Sequence, residues 1–475
     1  MLSFVVGHMH GFEIMIVLRK PMSEATAHTY DVVVIGGGVS GCSAAVAAAR
    51  CGKSVALVER SDMLGGMATL ALVNPLQTFH APHGQVIRGL GQELVDRLVA
   101  RKACPGHLMD PIGFANTVTP VDPEAFGLEL RAMCREASVT VFLNHRFRDC
   151  ALNANKRLKS VSLTDENQRT ATLCARAFVD AGGNGDLTLA AGCDMEMDPD
   201  HQPMTLIFVM GGVDPGAIIR FQKQNPQDFY MHQDPGVLDR GYVAVSGFFS
   251  QVAEARKSGE LTIPRDRLLF FNNTHRDEVV VNTTRITGLS GLDENELATA
   301  RARGMAQVNE LVPFMQKHIA GFENAFLKTV AREPGVRETR RLIGRYVLHE
   351  NELIESRNFD DVIAKGAYPL DIHQQTDEGL KTLSLCGKKH YDIPLRSILN
   401  KTVPNLITVG KCMSVTHQGF SSTRVMPTCL AVGQAGGVAA ALAADDPAGD
   451  IQDQAKAIQD ILLAQNAILF DEQVV

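Results

Sequence analysis

The sequence predicts an α/β protein: a parallel sheet with helices, interrupted by a second, α+β domain. Three observations predict it. A β-branched strand, a glycine-rich turn and a small-residue helix stand in direct succession from residue 30. Regular strand–helix alternation runs to about residue 200 and then lapses. A strand-like segment, NLITVGKC at 405–412, followed by another small-residue helix, restores it near the C-terminus. At 475 residues the chain exceeds one ordinary core, which suits two domains, one interrupting the other.

The first strand is YDVVVIG, residues 30–36, a β-branched run of the kind buried in parallel sheets. Gly36-Gly37-Gly38-Val39-Ser40-Gly41 follows as G-x-G-x-x-G and opens the helix CSAAVAAARCG. SVALVE then reads as a second strand ending in Glu59. In a Rossmann-like unit the first glycine permits a tight turn. The second lets the backbone approach a pyrophosphate, and the third packs helix on strand. Gly36, Gly38 and Gly41, with Val39 and Ser40 at the helix start, are therefore candidate dinucleotide-binding residues. The helix N-terminus would hold the pyrophosphate. Glu59 stands where an acid meets a ribose hydroxyl. The motif alone is a weak signal; strand, helix, strand and terminal acid in register make it a strong one.

The remaining elements follow in order. GQVIRGLGQELVDRLVARKA reads in its second half as an amphipathic helix. In VDPEAFGLELRAMCREA, Asp122 suits the N-cap and Pro123 the first turn. VTVFLN at 139–144 is a strand, and RAFVDAGGNGDLTLAAG a strand, a glycine turn and a small-residue helix. Polarity shifts at CDMEMDPDHQPM. The expected division is an N-terminal extension at 1–29, a discontinuous dinucleotide-binding domain at 30–200 and 396–448, a substrate domain at 201–395, and a C-terminal helix and tail at 449–475. Within the insertion, Leu297, Met305, Val308, Leu311, Val312, Met315 and Ile319 recur at helical spacing, with Asp293 and Glu296 as the N-terminal cap.

Bulk properties exclude some functions. The formal net charge is −7 and no long basic run appears, so nucleic acid is not an expected partner. Ten scattered cysteines form no C-x-x-C and no zinc-finger spacing, which fits reduced thiols in the cytoplasm and no structural metal. His80 and His83 lack a third ligand, so no metal is expected there. No transmembrane helix is expected. Residues 1–21 lack the order of charges a signal peptide needs, and translation is expected to begin at Met22, leaving a disordered arm or a start-site artefact before it.

RSDMLGGMAT, with Gly65-Gly66 after the second strand, resembles the start of FAD-dependent oxidoreductases of the glutathione-reductase-like superfamily. No second strand–GxGxxG–helix unit occurs, and GGMATLALVNPLQTFH has no cysteine, unlike the disulfide reductases of that superfamily. With VDPEAF, VDAGGNGD, VNTTRITG, GVRETRRLIGRYVL, YDIPLRSI and KCMSVTHQGFSSTRVMPTCLAVGQAGG, the chain resembles the FAD-dependent oxidoreductase family, relatives of fumarate reductase and succinate dehydrogenase flavoproteins. It departs from their usual D-x-T-G-D-x-D turn at Gly182 and Asn184, keeping Asp180 and Asp186. Lys411 stands where many relatives carry an acid after Gly410.

The resemblance implies FAD as cofactor. Gly36, Gly38 and Gly41 would meet its pyrophosphate, and Glu59 with Arg60 its adenosine ribose. Gly65, Gly66 and Met67 would lie along the phosphates, Phe147 near the adenine, and Gly182 and Asp186 at the neighbouring turn. Gly410, Met426 and Pro427 would approach the ribityl chain and isoalloxazine. It also implies a His- and Arg-bearing loop over the flavin, which makes His417 the candidate proton carrier and Arg424 the candidate anion clamp. Arg332, Arg337, Arg340 and Arg341 crowd REPGVRETRR, and Arg340 is the preferred pocket member, with His390, Tyr391 and Arg396 expected at the same cleft. The expected activity is hydride transfer between a small carboxylate- or hydroxyl-bearing substrate and flavin N5. The electron donor or acceptor is open, and a homo-oligomer is compatible with it. An FAD-dependent RNA-modifying enzyme and a redox-inactive binding protein are the alternatives.

Overall fold

The computed structural model describes residues 5–9, 12–16, 27–373 and 380–474. Val5–Met9 and Phe12–Ile16 pair as antiparallel strands. The expected start at Met22 lies outside the described residues.

Strand β1 (Ala27–Ile35), helix α1 (Val39–Arg50) and strand β2 (Val55–Val58) make the first βαβ unit. β1 and β2 run parallel, with Val32 opposite Val55 and Ile35 opposite Val58. Val32, Val33 and Val34 are completely buried, as a parallel strand covered on both faces requires. Helix α2 (Pro123–Glu136) begins where Asp122 accepts a 2.8 Å bond from the Ala125 N–H, with Pro123 in its first turn. Strand β3 (Thr140–Phe142) then joins β2 in parallel. β4 (His145–Leu152), β5 (Leu158–Asp165) and β6 (Thr170–Asp180) form an antiparallel meander, and β6 also runs parallel to β1.

The insertion carries its own antiparallel sheet. Its strands are β7 (Phe208–Gly211), β8 (Phe229–Tyr230), β9 (Ala244–Gly247), β10 (Leu268–Asn272), β11 (Val279–Val281) and β12 (Phe326–Val330), in the spatial order β8-β9-β10-β11-β7-β12. Helix α3 (Glu294–His318) covers it, burying Ala300, Gly304, Val308, Leu311, Phe314 and Met315. Asp293 caps α3 by accepting from the Glu296 N–H at 2.8 Å. A methyl at Gly304 would stand 2.5 Å from Leu206 Cβ, so this glycine sets how closely helix and sheet approach.

The insertion is shorter than its expected range of 201–395. Its apolar core runs from Met204 to Ala331. Beyond it, Val362, Ile363, Tyr391 and Ile393 pack in one cluster with Val32 and Val438 of the dinucleotide-binding half. Apolar contact, not the polarity of the sequence, assigns residues 348–395 to that half.

Strand β13 (Leu406–Thr408) completes a parallel run β3-β2-β1-β6-β13, Leu406 lying opposite Phe178. Helix α4 (His417–Thr423) and helix α5 (Met426–Asp445) follow. Methyls at Gly433 and Gly437 would stand 2.3 Å from Ser40 O and 2.1 Å from Ala44 O of α1, so these glycines permit helix-to-helix backbone contact. Gly436 faces the sheet instead, where a methyl would meet Val409 Cγ1 at 2.3 Å. α5 carries no charge before Asp445 and is long and apolar enough to cross a bilayer, a feature the expectation of no spanning helix passed over. Its apolar window is 89% buried inside the protein.

Candidate active site

The first half of the site is a cradle of backbone. Gly36 has φ +101°, and a methyl at Gly41 would stand 1.7 Å from Gly36 O. A methyl at Gly38 would meet nothing within 4 Å, so the backbone there faces open space. Gly38 is the N-cap of α1 and offers no side-chain cap, which leaves first-turn N–H groups for an anion. Gly65 bridges to Gly38, its N–H donating to Gly37 O at 2.9 Å, and Gly66 follows with φ +56°. The buried Glu59 carboxylate accepts from the N–H of Gly37 at 2.7 Å and of Ser61 at 2.8 Å. It thereby ties the glycine loop to the end of β2 and keeps further lone pairs for a hydroxyl.

The other residues proposed for this cradle lie around it. Arg60 pairs with Glu333 of the insertion. Phe147 is partly buried against the apolar cluster that includes Val33 and Ile35. The Gly182 N–H donates to Asp180 at 3.0 Å, and Asp180 also accepts from both the Thr188 N–H and hydroxyl at 2.8 Å, fixing the turn. Asp186 pairs with Arg340 at 2.8 Å. Gly410 has φ +73° and lies against Ser40, while Met426 and Pro427 open α5, whose N-cap Val425 gives no side-chain cap either. Two uncapped helix N-termini at one groove fit a dinucleotide with its diphosphate at α1 and its reactive ring toward α5.

The second half is a cavity of about 830 Å³ between this groove and the insertion. Met67, Lys411, Val425 and Met426 line it on the groove side, and Ile112, Phe114, Ile207, Leu269 and Phe271 supply apolar wall. Arg265, Arg285, Arg337 and Arg424 also line it. Burial, then Arg424 and Arg265, push the Arg337 guanidinium down to about 9. Burial, then Arg285 and Arg267, push Arg265 down to about 10. Lys411 donates to Val336 O at 3.0 Å, and burial lowers its pKa too.

Two carboxylates stand among these cations. Asp266 is taken by Arg267 at 2.6 Å. Asp371 Oδ2 accepts from Arg424 Nη2 at 3.2 Å and the Tyr368 hydroxyl at 3.2 Å, and lies 3.3 Å from His373 Nε2. Burial alone would raise the Asp371 carboxyl. His373, Arg424 and Arg337 more than offset it, and it sits well below the usual carboxylate range. Burial drives the His373 imidazole down to about 3, with Arg337 and Arg265 adding to burial and Asp371 opposing it.

Of the residues expected to do chemistry, Arg424 lines the cavity and His417 does not. His417 Nδ1 lies 2.9 Å from Glu338, a completely buried carboxylate that also pairs with Arg341. Burial opposes protonation of His417, but Glu338 and Asp198 outweigh it and raise its pKa. The preferred arginine shifts as well: Arg337 lines the cavity, whereas Arg340 is held by Asp186 and Asn184 O. Arg332 pairs with Asp62 at the surface. His390 lies 3.0 Å from Asp471, Tyr391 2.7 Å from Ser422 Oγ, and Arg396 2.9 Å from Asp361. These three are absorbed by structural partners and do not line the cavity. His80 lies 3.2 Å from Thr117 Oγ1, and no cluster of potential metal ligands exists among the described residues. Arg265, Arg285, Tyr368, Asp371 and His373 went unnoticed in the sequence. Arg285 sits inside VNTTRITG, and Asp371 and His373 share a strand face by alternation, which is the one local signal they gave.

The FAD dependent oxidoreductase family model matches residues 31–462. A soluble pyridine nucleotide transhydrogenase of Mycobacterium bovis is 53% identical over 49 residues, 10% of each chain. A 4-oxocyclohexanecarboxylate 2-dehydrogenase of Sinomonas cyclohexanicum is 49% identical over 43 residues, 9% of this chain and 8% of that one. A soluble pyridine nucleotide transhydrogenase of Chromohalobacter salexigens is 27% identical over 197 residues, 39% of each. The matched part is thus about 10% of the length of the first of these relatives. Among solved structures, a geranylgeranyl bacteriochlorophyll reductase-like protein from Thermoplasma acidophilum aligns over 94% of this chain and 90% of its own, with 13% identity and a TM-score of 0.48. A p-nitrophenol 4-monooxygenase from Pseudomonas putida aligns over 94% and 83%, with 10% identity and a TM-score of 0.43.

Proposed function

The chain belongs to the FAD-dependent oxidoreductase family, and from that premise we propose that it oxidises or reduces a small carboxylate-bearing substrate held in the arginine-lined cavity. FAD supplies the hydride exchange when bound. The chain's part is to bind, orient and screen. The glycine loop, Glu59 and the α1 N-terminus hold the dinucleotide end. The uncapped start of α5, beside Met426 in the cavity wall, favours negative charge at that edge.

One observation carries the reading: Arg265, Arg285, Arg337 and Arg424 line one cavity, where burial, then Arg424 and Arg265, lower the Arg337 pKa. Like charges gathered in a buried cavity repel one another, a cost that an anionic ligand offsets. A guanidinium fork also matches a carboxylate in shape. The apolar wall of Ile112, Phe114 and Phe271 accommodates the rest of a small organic molecule.

The test is anaerobic titration of the FAD-loaded protein with paired carboxylates and their primary amides. Carboxylates should perturb or bleach the flavin spectrum and amides should not. Equal response to both would overturn the proposal.

A further inference from the structure

We propose that His373, oriented by Asp371, accepts the proton of a substrate hydroxyl, so that the substrate is a hydroxy acid. This rests on the carboxylate reading above. Ionised Asp371 can only accept, so His373 Nε2 carries the hydrogen in their 3.3 Å contact. Nδ1 of the neutral ring is then a bare lone pair. It is buried and has no hydrogen-bond partner, and His373 lines the cavity.

Four further buried polar atoms of cavity residues lack partners: Asn282 Oδ1, Asp371 Oδ1, Arg424 Nε and Arg265 Nε. A bare carboxylate satisfies the two arginine donors but sets its own lone pairs against those of His373 Nδ1 and Asp371 Oδ1. A hydroxyl on the same ligand brings the missing donor, and leaving such atoms unmet costs about 1–3 kcal/mol each. His373 is the better base of the two, because His373, Arg424 and Arg337, against the effect of burial, hold the Asp371 carboxyl well below the usual carboxylate range. The charged groups acting on His373 are Asp371, Arg337 and Arg265. A bound anion neutralises the arginines and raises the basicity of the imidazole.

The step balances. The substrate O–H bond breaks and its proton bonds to Nδ1. With FAD bound, the hydrogen on the same carbon would leave with its electron pair as hydride to the flavin, and a C=O bond would form. The hydroxy acid would be oxidised to an oxo acid and the flavin reduced by two electrons.

The experiment uses FAD-loaded protein without oxygen, with glycolate, malate and both enantiomers of lactate and mandelate as hydroxy acids and succinate as the carboxylate lacking a hydroxyl. At least one hydroxy acid should reduce the flavin. His373→Gln should slow that reduction about 100-fold or more while still binding succinate. Calorimetry of the unmutated protein with succinate, in two buffers of different ionisation heat, should show proton uptake that His373→Gln abolishes. Succinate binding without reduction by any hydroxy acid, equal reduction by His373→Gln, or binding without proton uptake would each overturn this inference and leave the carboxylate site standing. Failure of every carboxylate to bind would instead overturn the carboxylate reading.

Discussion

The dinucleotide cradle and the substrate cavity adjoin, yet they are built from different material. The cradle is backbone: glycines at 36, 38 and 41, the Gly65–Gly66 pair, and two helix N-termini without side-chain caps. The cavity is side chain: guanidiniums, one shared carboxylate, an imidazole and a phenol brought from segments more than a hundred residues apart. A backbone site tolerates no added atom. A side-chain site tolerates replacement and loses affinity by degrees. The largest expected effect therefore lies in the cradle. Gly41→Val puts a branched side chain where a single methyl already meets Gly36 O at 1.7 Å. It should abolish FAD retention, read as loss of the visible flavin absorbance after purification. Full flavin content in that variant would break the contrast between the two halves.

The next test sits inside one short segment. Arg337 and Arg341 are four residues apart, but they belong to opposite electrostatic settings. Arg341 is almost fully buried against Glu338, itself completely buried, and donates to Val415 O at 3.1 Å. Removing one partner of such a pair strands the other, so Arg341→Met should lower stability by about 3–5 kcal/mol. Arg337 lies among Arg424, Arg265 and Arg285, opposed by Asp371, and its Nη1 donates to Pro203 O at 2.6 Å. Arg337→Met relieves repulsion but leaves that carbonyl without its donor, so it should lower stability by less than Arg341→Met does and weaken carboxylate binding about tenfold or more, the scale of a hydrogen bond to a charged group. Chemical denaturation and spectral titration of both variants read the two effects separately.

That difference explains what the sequence makes legible. The glycine fingerprint, Glu59, the caps Asp122 and Asp293 and the small-residue face of α5 are each written in fewer than thirty consecutive residues, because each depends on chain geometry at one place. The cavity depends on the register of separate strands. In REPGVRETRR nothing in composition distinguishes Arg337 from Arg340; only their partners in the fold do, the cavity for Arg337 and Asp186 for Arg340. His417 shows the same limit. The resemblance implies a place over the flavin, but α4 turns it toward Glu338, a buried acid seventy-nine positions away in sequence. The boundary at 395 was misplaced because packing of Val362 and Ile393 against the first core is invisible in local polarity.

The smallest effect separates two histidines by the sign of their pH dependence. His417 has its pKa raised by Glu338 and Asp198 against the effect of burial. Its contribution to stability is fully present below about 6.5, the ordinary histidine value, and is lost as pH rises through the raised folded value. His373 is held neutral, its pKa depressed to about 3 by burial and by Arg337. The unfolded chain binds a proton there between about 6.5 and 3 while the folded protein does not, so its contribution is lost as pH falls through that window. Urea midpoints measured from pH 5 to pH 9 should therefore show His417→Gln least stable relative to the unmutated protein at the acid end and converging with it in alkali. His373→Gln should show the reverse, gaining relative stability as pH falls. The same sign for both variants would mean that the imidazole in the cavity is not neutral, and would remove the distinction between a structural and a cavity histidine on which the assignment of proton transfer depends.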